Sequence, residues 1–408
     1  MIWIVAWKNI WRNKVRSLVV VMAIALGLLG GVFSSAVLKG TSDQRVREAV
    51  TRETSHIQIH NPAFIEDNDV RYLVDGNGKK LFTALDTMDM IAAWSPRVKF
   101  MAMAGSANAG TGVSVIGIDP EKEKHVTEIH SLICDTCGKW FKESRGMPVV
   151  VGQALAKKLK VRLNSKIVLT FQDMQGNLTG GAFRICGIYR TSNSVFDEMN
   201  VFVNRTDIIP LLAADTGSCH EIAVLLKDPG DAGMVKQVVK NLFPSLLVQD
   251  WKEIDPLLGM LNDFMDLWLY LFMGIILLAL AFGIINTMLM AILERTRELG
   301  MLAAIGMNKQ KIFILIMLES VFLSLTGGII GIILGIILTI YTNHTGINLG
   351  TFAEGFEKIG YNPILYPSLN LVFFINLTLM VIAAGILASV YPARRALKLK
   401  PAEAIRID

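Results

Sequence analysis

The sequence predicts a membrane α-helical protein with four transmembrane helices and a large α+β extracytoplasmic domain inserted between the first and second spans. Three observations carry this. The 408 residues are 52% hydrophobic and 18% charged, where soluble domains carry about a quarter charged. The deficit is local: Ser17–Leu38, Leu267–Leu293, Ile312–Tyr341 and Leu369–Val390 hold almost no charge. Each reaches the roughly 20 residues that cross a bilayer core of about 30 Å, and runs this long favour spans over buried helices of a soluble domain. Finally, the segment 39–266 alternates short β-branched runs with helical patterns, as a folded domain does.

Residues 1–16 read as an interfacial elbow helix. Trp3, Trp7 and Trp11 recur every four residues and share one face, with Lys8, Arg12 and Arg16 on the neighbouring stripe. Residues 17–38 form the first span. The apolar run exceeds the core of a signal peptide and its charged leader is long, so an uncleaved span is expected.

In the insert 39–266, the runs HIQIHNPAF, VSVIGIDP, SKIVLTFQD, AFRICGIYR, NVFVN and EIAVLL read as strands. Helical patterns cover Ser42–Thr54, Gln153–Leu159 and Ala232–Leu242. The flanks Asp43–Arg52 and Val248–Leu261 are expected to rise from the membrane as stalks. All four cysteines, Cys134, Cys137, Cys186 and Cys219, fall in this insert. Cys134 and Cys137 form a C-x-x-C, which suits a disulfide, redox chemistry or half a zinc site. A local bridge or free thiols is favoured, because no second C-x-x-C or His pair completes a tetrahedral site.

The second span, 267–293, contains Asn286. The third, 312–341, carries Gly327, Gly331 and Gly335 four apart, with Gly328 widening the face. Small residues at that spacing let another helix backbone approach. Glu319 is the one ionisable residue well inside a late span, a functional hypothesis by default, although snorkelling or bonding to a neighbouring helix competes with it. No ladder of acids or histidines accompanies it, which weakens an ion-driven carrier. A short external loop, 342–368, leads to the fourth span, 369–391, and a tail, 392–408, with Pro392, Arg394, Arg395 and Pro401.

Lys and Arg set the orientation. They crowd before the first span, between the second and third, and after the fourth, while the loop 342–368 holds only Lys358. Both termini are therefore expected in the cytoplasm and the insert outside. The net charge of +5 is accounted for by these ends and calls for no nucleic acid. Between spans two and three lies a short charged stretch, 294–311. In it, Glu294/Arg297 and Arg295/Glu298 sit three apart and can pair along a helix. Gly300 and Gly306 bracket the apolar MLAAI, which includes Leu302, Ala304 and Ile305. The stretch is suited to present a knob to a cytoplasmic partner, and a plain hairpin is the competing reading.

ERTRELGMLAAIGMNKQKI resembles the signature between the second and third spans of ABC transporter permeases of the MacB, FtsX and Lol type. AWKNIWRNKVRSLV is similar to that family's elbow, INTMLMAILER to its second span, MLESVFLSLTGGIIGIILG to its third and YPARRALKLKPAEAIR to its tail. VVVGQALAKKLKVRLNSKIVLTF and FRICGIYRTSNSVFDEMNVFV resemble its external domain. The likeness covers almost the whole chain. Ala303, Lys400 and Asn164 depart from the common pattern. Asn tolerates positive φ, so the turn at Asn164 is expected to survive.

The resemblance implies a porter-like half with a β-rich insert, a dimeric cytoplasmic ATPase and a second permease chain, identical or homologous. It implies a multi-pass place in the bacterial inner membrane. No G-x-x-x-x-G-K-[ST] occurs, so ATP and Mg are expected on the partner ATPase, with no cofactor bound directly and no enzyme activity in this chain. The coupling residues would be Glu294, Arg295, Arg297, Glu298, Gly300, Leu302, Ala304, Ile305 and Gly306. Chain length and insert size fit the lipoprotein-releasing branch, with lipids, lipoproteins and a periplasmic carrier as partners. An efflux permease for peptides or antibiotics, or a regulator of a cell-wall hydrolase, is the alternative. An external enzyme finds no support: His56, His60, His125, His130 and His220 form no nucleophile–base motif.

Overall fold

The computed structural model describes residues 2–12, 14–74, 78–141, 146–368 and 371–397. The chain divides into two compact units. One comprises Met1–Asp43, Asp263–Asn348 and Leu365–Asp408, the other Gln44–Asn262 and Leu349–Ile364.

The first unit is helical. An elbow helix, Ile2–Arg12, precedes a long helix, Lys14–Ala49. Further long helices run Pro256–Glu294, Lys309–Thr345 and Leu371–Leu397. Among the described residues, four helices are long and apolar enough to cross a membrane. The first continues past the expected span 17–38 into the stretch expected to be helical from Ser42, and its α-helix ends at Ala49. The fourth runs through Pro392 to Leu397, where the tail was expected to begin; Arg394 and Arg395 on it are exposed and Pro392 is buried. Pro401 lies outside the described residues.

The glycines of the third long helix explain its packing. A Cβ on Gly327 would stand 2.8 Å from Ile24, on Gly331 2.6 Å from the Ala25 carbonyl oxygen, and on Gly335 2.9 Å from Val32. The face that small residues open is thus filled by the first long helix of the same chain. Gly328 faces Val381 more loosely, at 3.2 Å. Gly331→Leu is expected to lower the melting temperature of the detergent-purified protein, because the clash is with backbone and no rotamer relieves it; overpacking of this kind costs about 1–3 kcal/mol. Gly274→Leu, where a Cβ meets nothing within 4 Å, is the control. Equal melting of the two variants would mean that the first and third helices do not pack this way.

The second unit is built on ten strands, β1 (Ile57–His60), β2 (Ile91–Gly105), β3 (Gly110–Ile118), β4 (Ile133–Gly138), β5 (Met147–Gly152), β6 (Lys166–Gln172), β7 (Leu178–Tyr189), β8 (Asn200–Asn204), β9 (Glu221–Leu226) and β10 (Leu247–Asp250). Their order is β10-β1-β9-β2-β3-β8-β5-β7-β4, and β6 pairs with both β2 and β7. Six strands therefore close into a ring, β2-β3-β8-β5-β7-β6. Alternation fits closure. Val98, Phe100, Ala102 and Ala104 are buried along β2 with Ile167, Leu169 and Phe171 along β6, while Met101, Met103 and Val168 face out. Closure removes the exposed edges that invite wrong pairing.

β2 serves both halves. Ile91–Arg97 pairs with β9, and Val98–Gly105 with β3. Arg97 sits at this changeover, fully buried, with Nη2 2.7 Å from Glu123 and Nη1 2.7 Å from Glu221. The helices Gln153–Leu159 and Ala232–Leu242 form where the sequence places them. The stalk expected over Val248–Leu261 does not form as one helix: Leu247–Asp250 pairs with β1, and Asp250 caps the turn Trp251–Ile254. Asn164 takes φ +66°, within the tolerance expected of Asn.

The loop between the third and fourth long helices is more than a connection. Its residues 349–364 belong to the second unit. Glu357 accepts from Arg190 at 2.7 Å, its carbonyl from Ser194 at 3.2 Å, and Asn362 donates to Glu48 at 3.0 Å.

Candidate functional site

The charged stretch between the second and third long helices folds as a helix, Thr296–Ala304. Its end is a Schellman turn. The Met307 N–H donates to the Leu302 carbonyl at 3.0 Å, and Gly306 takes φ +94°, a conformation that other residues enter at a cost. The Asn308 side chain then accepts from the Gln310 N–H at 3.0 Å and starts the third long helix.

The helix lies inside the expected stretch 294–311, begins four residues before Gly300 and ends before Ile305. Leu299 and Gly300 are buried and Leu302 is half-buried. Arg297, Met301 and Ile305, each four apart, form the exposed ridge, and Ile305 is 85% exposed. Glu294 is also exposed. The side chains of Ala303 and Ala304 lie outside the described residues.

Behind the ridge the charges converge. Arg295 donates through Nε to Glu298 at 3.0 Å, so the expected i,i+3 pair forms, and through Nη1 to both Glu319 oxygens at 3.2 and 3.3 Å. Asn9 Nδ2 donates to Glu319 at 2.8 Å, and Arg12 pairs with Glu298. Burial pushes the Arg295 guanidinium pKa down, but Glu319 and Glu298 outweigh it and hold it above the ordinary value. For Glu298, burial pushes upward and the bonds from Arg295 and Arg12 prevail, so its carboxyl lies below the usual range. Sequence reasoning missed Asn9 and gave Arg12 no partner, since nothing local signals a contact about 300 residues away.

Other candidates distribute as follows. Asn286, expected to pack helices, is exposed on this chain. Cys134 and Cys137 are joined by a disulfide, and burial pushes the Cys186 thiol up to about 11 and that of Cys219 to about 12. His220 sits between the Lys99 N–H and the Val70 carbonyl, and His56 accepts from the Leu226 N–H, so both serve backbone.

A family model described as the MacB-like periplasmic core domain matches residues 17–242, and one described as the FtsX-like permease C-terminal matches residues 270–401. The chain is 23% identical to the lipoprotein-releasing system transmembrane protein LolC of Buchnera aphidicola, over 95% of this chain and 93% of that one. It is 25% identical to LolE of Haemophilus influenzae, over 76% of each. It is 28% identical to the macrolide export ATP-binding/permease protein MacB of Chlorobium luteolum, over 99% of this chain and 59% of that one. With the periplasmic core model alone spanning more than half of its residues, the chain belongs to the MacB/FtsX/Lol family of ABC transporter permeases.

Proposed function

We propose that this chain transmits the ATP-driven motion of a separate ATPase dimer to its extracytoplasmic domain, and that the motion releases lipid-anchored proteins from the inner membrane toward a periplasmic carrier. The observation that carries the coupling role is the ridge Arg297–Met301–Ile305, formed by a nine-residue helix and the residue just past its end, between two long membrane helices. ATP and Mg bind the partner ATPase, and a second permease chain completes the pair. The likeness to the lipoprotein-releasing system proteins LolC and LolE supports release, and the likeness to the macrolide exporter MacB makes efflux the alternative that the test must separate.

The test is to purify the complex from its own cells and identify the attached chains. Proteoliposomes then receive ATP and Mg, and radiolabelled lipoprotein leaving for a soluble carrier is measured beside macrolide transport. ATP-dependent release supports the reading, and macrolide movement without release replaces it with efflux.

Orientation has its own check. Cysteines introduced at Thr296 and at Gly176 should react with an impermeant maleimide from opposite sides, Thr296 only after the cytoplasmic face is opened. Labelling of Thr296 in intact cells would reverse the orientation drawn from Lys and Arg.

A further inference from the structure

Glu319 lies about 15 Å along the third long helix from Lys309, at 1.5 Å per residue, and is buried. One carboxylate there collects bonds from two other elements: Asn9 of the elbow helix and Arg295 beside the short charged helix. The circuit closes on itself. Arg295 holds Glu298, Glu298 holds Arg12, and Arg12 returns to the elbow helix that carries Asn9. A cavity of about 240 Å³ adjoins it, lined among others by Asn9, Arg12, Arg295, Glu298 and Glu319. Close apolar packing is therefore interrupted where these elements meet, in contrast to the glycine contacts deeper in the same helix.

Buried ion pairs are poor sources of net stability, and apolar replacements of similar volume often cost nothing; fixing a register is their better-attested use. An arrangement joined by polar bonds across a cavity is a link between helices rather than a sealed core. We propose that Glu319 is a positioning residue: through Arg295 and Asn9 it locks the short charged helix and the elbow helix to the third span, so that displacement of the charged helix moves all three together. This rests on the coupling role proposed above. Glu319 acts through Arg295 and Asn9, the side chains it bonds. Loss of its charge separates ATP hydrolysis from movement of the external domain.

Two measurements on the full chain test this. In the permease alone, in lipid nanodiscs, Glu319→Gln keeps shape and an acceptor for Asn9 but loses the charge that holds Arg295. Amide hydrogen exchange within residues 296–304 and 2–12 should rise about tenfold, with exchange in β1–β10 unchanged. Unaltered exchange in both segments overturns the positioning role, whether or not an ATPase binds. In the complex purified with its ATPase, a bimane label on Leu178→Cys reports the external domain while ATP, Mg and vanadate are added. Glu319→Gln should keep ATP hydrolysis within about twofold and lose at least four-fifths of the nucleotide-driven fluorescence change. Combining Arg295→Glu with Glu319→Arg should restore more than half of it, a rescue that a filler of space would not give. A full fluorescence change in Glu319→Gln overturns the proposal. A wild-type chain that binds no ATPase fails the coupling role instead, and leaves the exchange result to judge the link.

Discussion

Arg97→Met should destabilise the second unit more than any exposed substitution in it, by about 3–5 kcal/mol, the usual result of removing one partner from a buried ion pair. The guanidinium is 4% exposed and its partners Glu123 and Glu221 are 0% and 1% exposed, so water cannot replace it. In an insert of this size that corresponds to a fall in melting temperature of roughly 6–20 °C. Lys124→Met breaks the exposed pair with Glu121 and should cost under about 1 kcal/mol. The pH dependence separates a charge effect from lost packing. Burial pushes the Glu221 carboxyl up, but the charges of Lys99 and Arg97 prevail and hold it at about 2, below its ordinary 4.5. Its contribution is complete above pH 4.5 and is lost as pH falls toward 2. In Arg97→Met the carboxylate has lost its main partner and protonates at higher pH. The gap between wild type and variant should therefore be widest near pH 7 and shrink below pH 4.5. Melting curves of the purified full chain across that range check it, and a gap that stays constant with pH would assign the loss to packing alone.

The spans were legible because a bilayer demands long uncharged runs, and little else in this sequence produces them. Strands with clean alternation, such as β6 at Lys166–Gln172, were legible for the matching reason of period two. β2 was not. It begins as IAAWSPRV, in which Trp94, Ser95, Pro96, Arg97 and Val98 are buried in succession, so no alternation survives. β5, Met147–Gly152, is flanked by β7 and β8 and reads as an unbroken apolar run that period two cannot identify. At the candidate site, the charged helix could be read from its position between spans, and the Arg295–Glu298 pair from spacing. Its inward and outward faces could not. Leu299 and Ile305 are equally apolar, and only the fold turns one in and leaves the other 85% exposed. The link through Asn9 was invisible because an Asn in an amphipathic helix carries no mark of a partner in another span.

Ile305→Asp is expected to reduce ATPase association at least a hundredfold. Ile305 stands at the end of the ridge Arg297–Met301–Ile305, and a large apolar side chain left this bare has no role in folding the isolated chain. It is the kind of anchor that fills a pocket on a partner and dominates its binding energy. Placing a carboxylate there strands a charge in an apolar groove or forces it to take up a proton, at a cost of several kcal/mol. Since about 1.4 kcal/mol is tenfold in affinity, even a cost near 3 kcal/mol gives a hundredfold loss. The permease itself should be unharmed, because position 305 is exposed and lies outside the four long helices. Leu178→Asp makes a similar chemical change at a residue 77% exposed on the second unit and should leave ATPase binding as it was. Wild type and both variants, purified in equal amounts and with equal melting temperatures, are titrated with the ATPase isolated from the native complex. Retention of full affinity by Ile305→Asp would reduce the helix Thr296–Ala304 to a hairpin between spans and move the docking surface elsewhere.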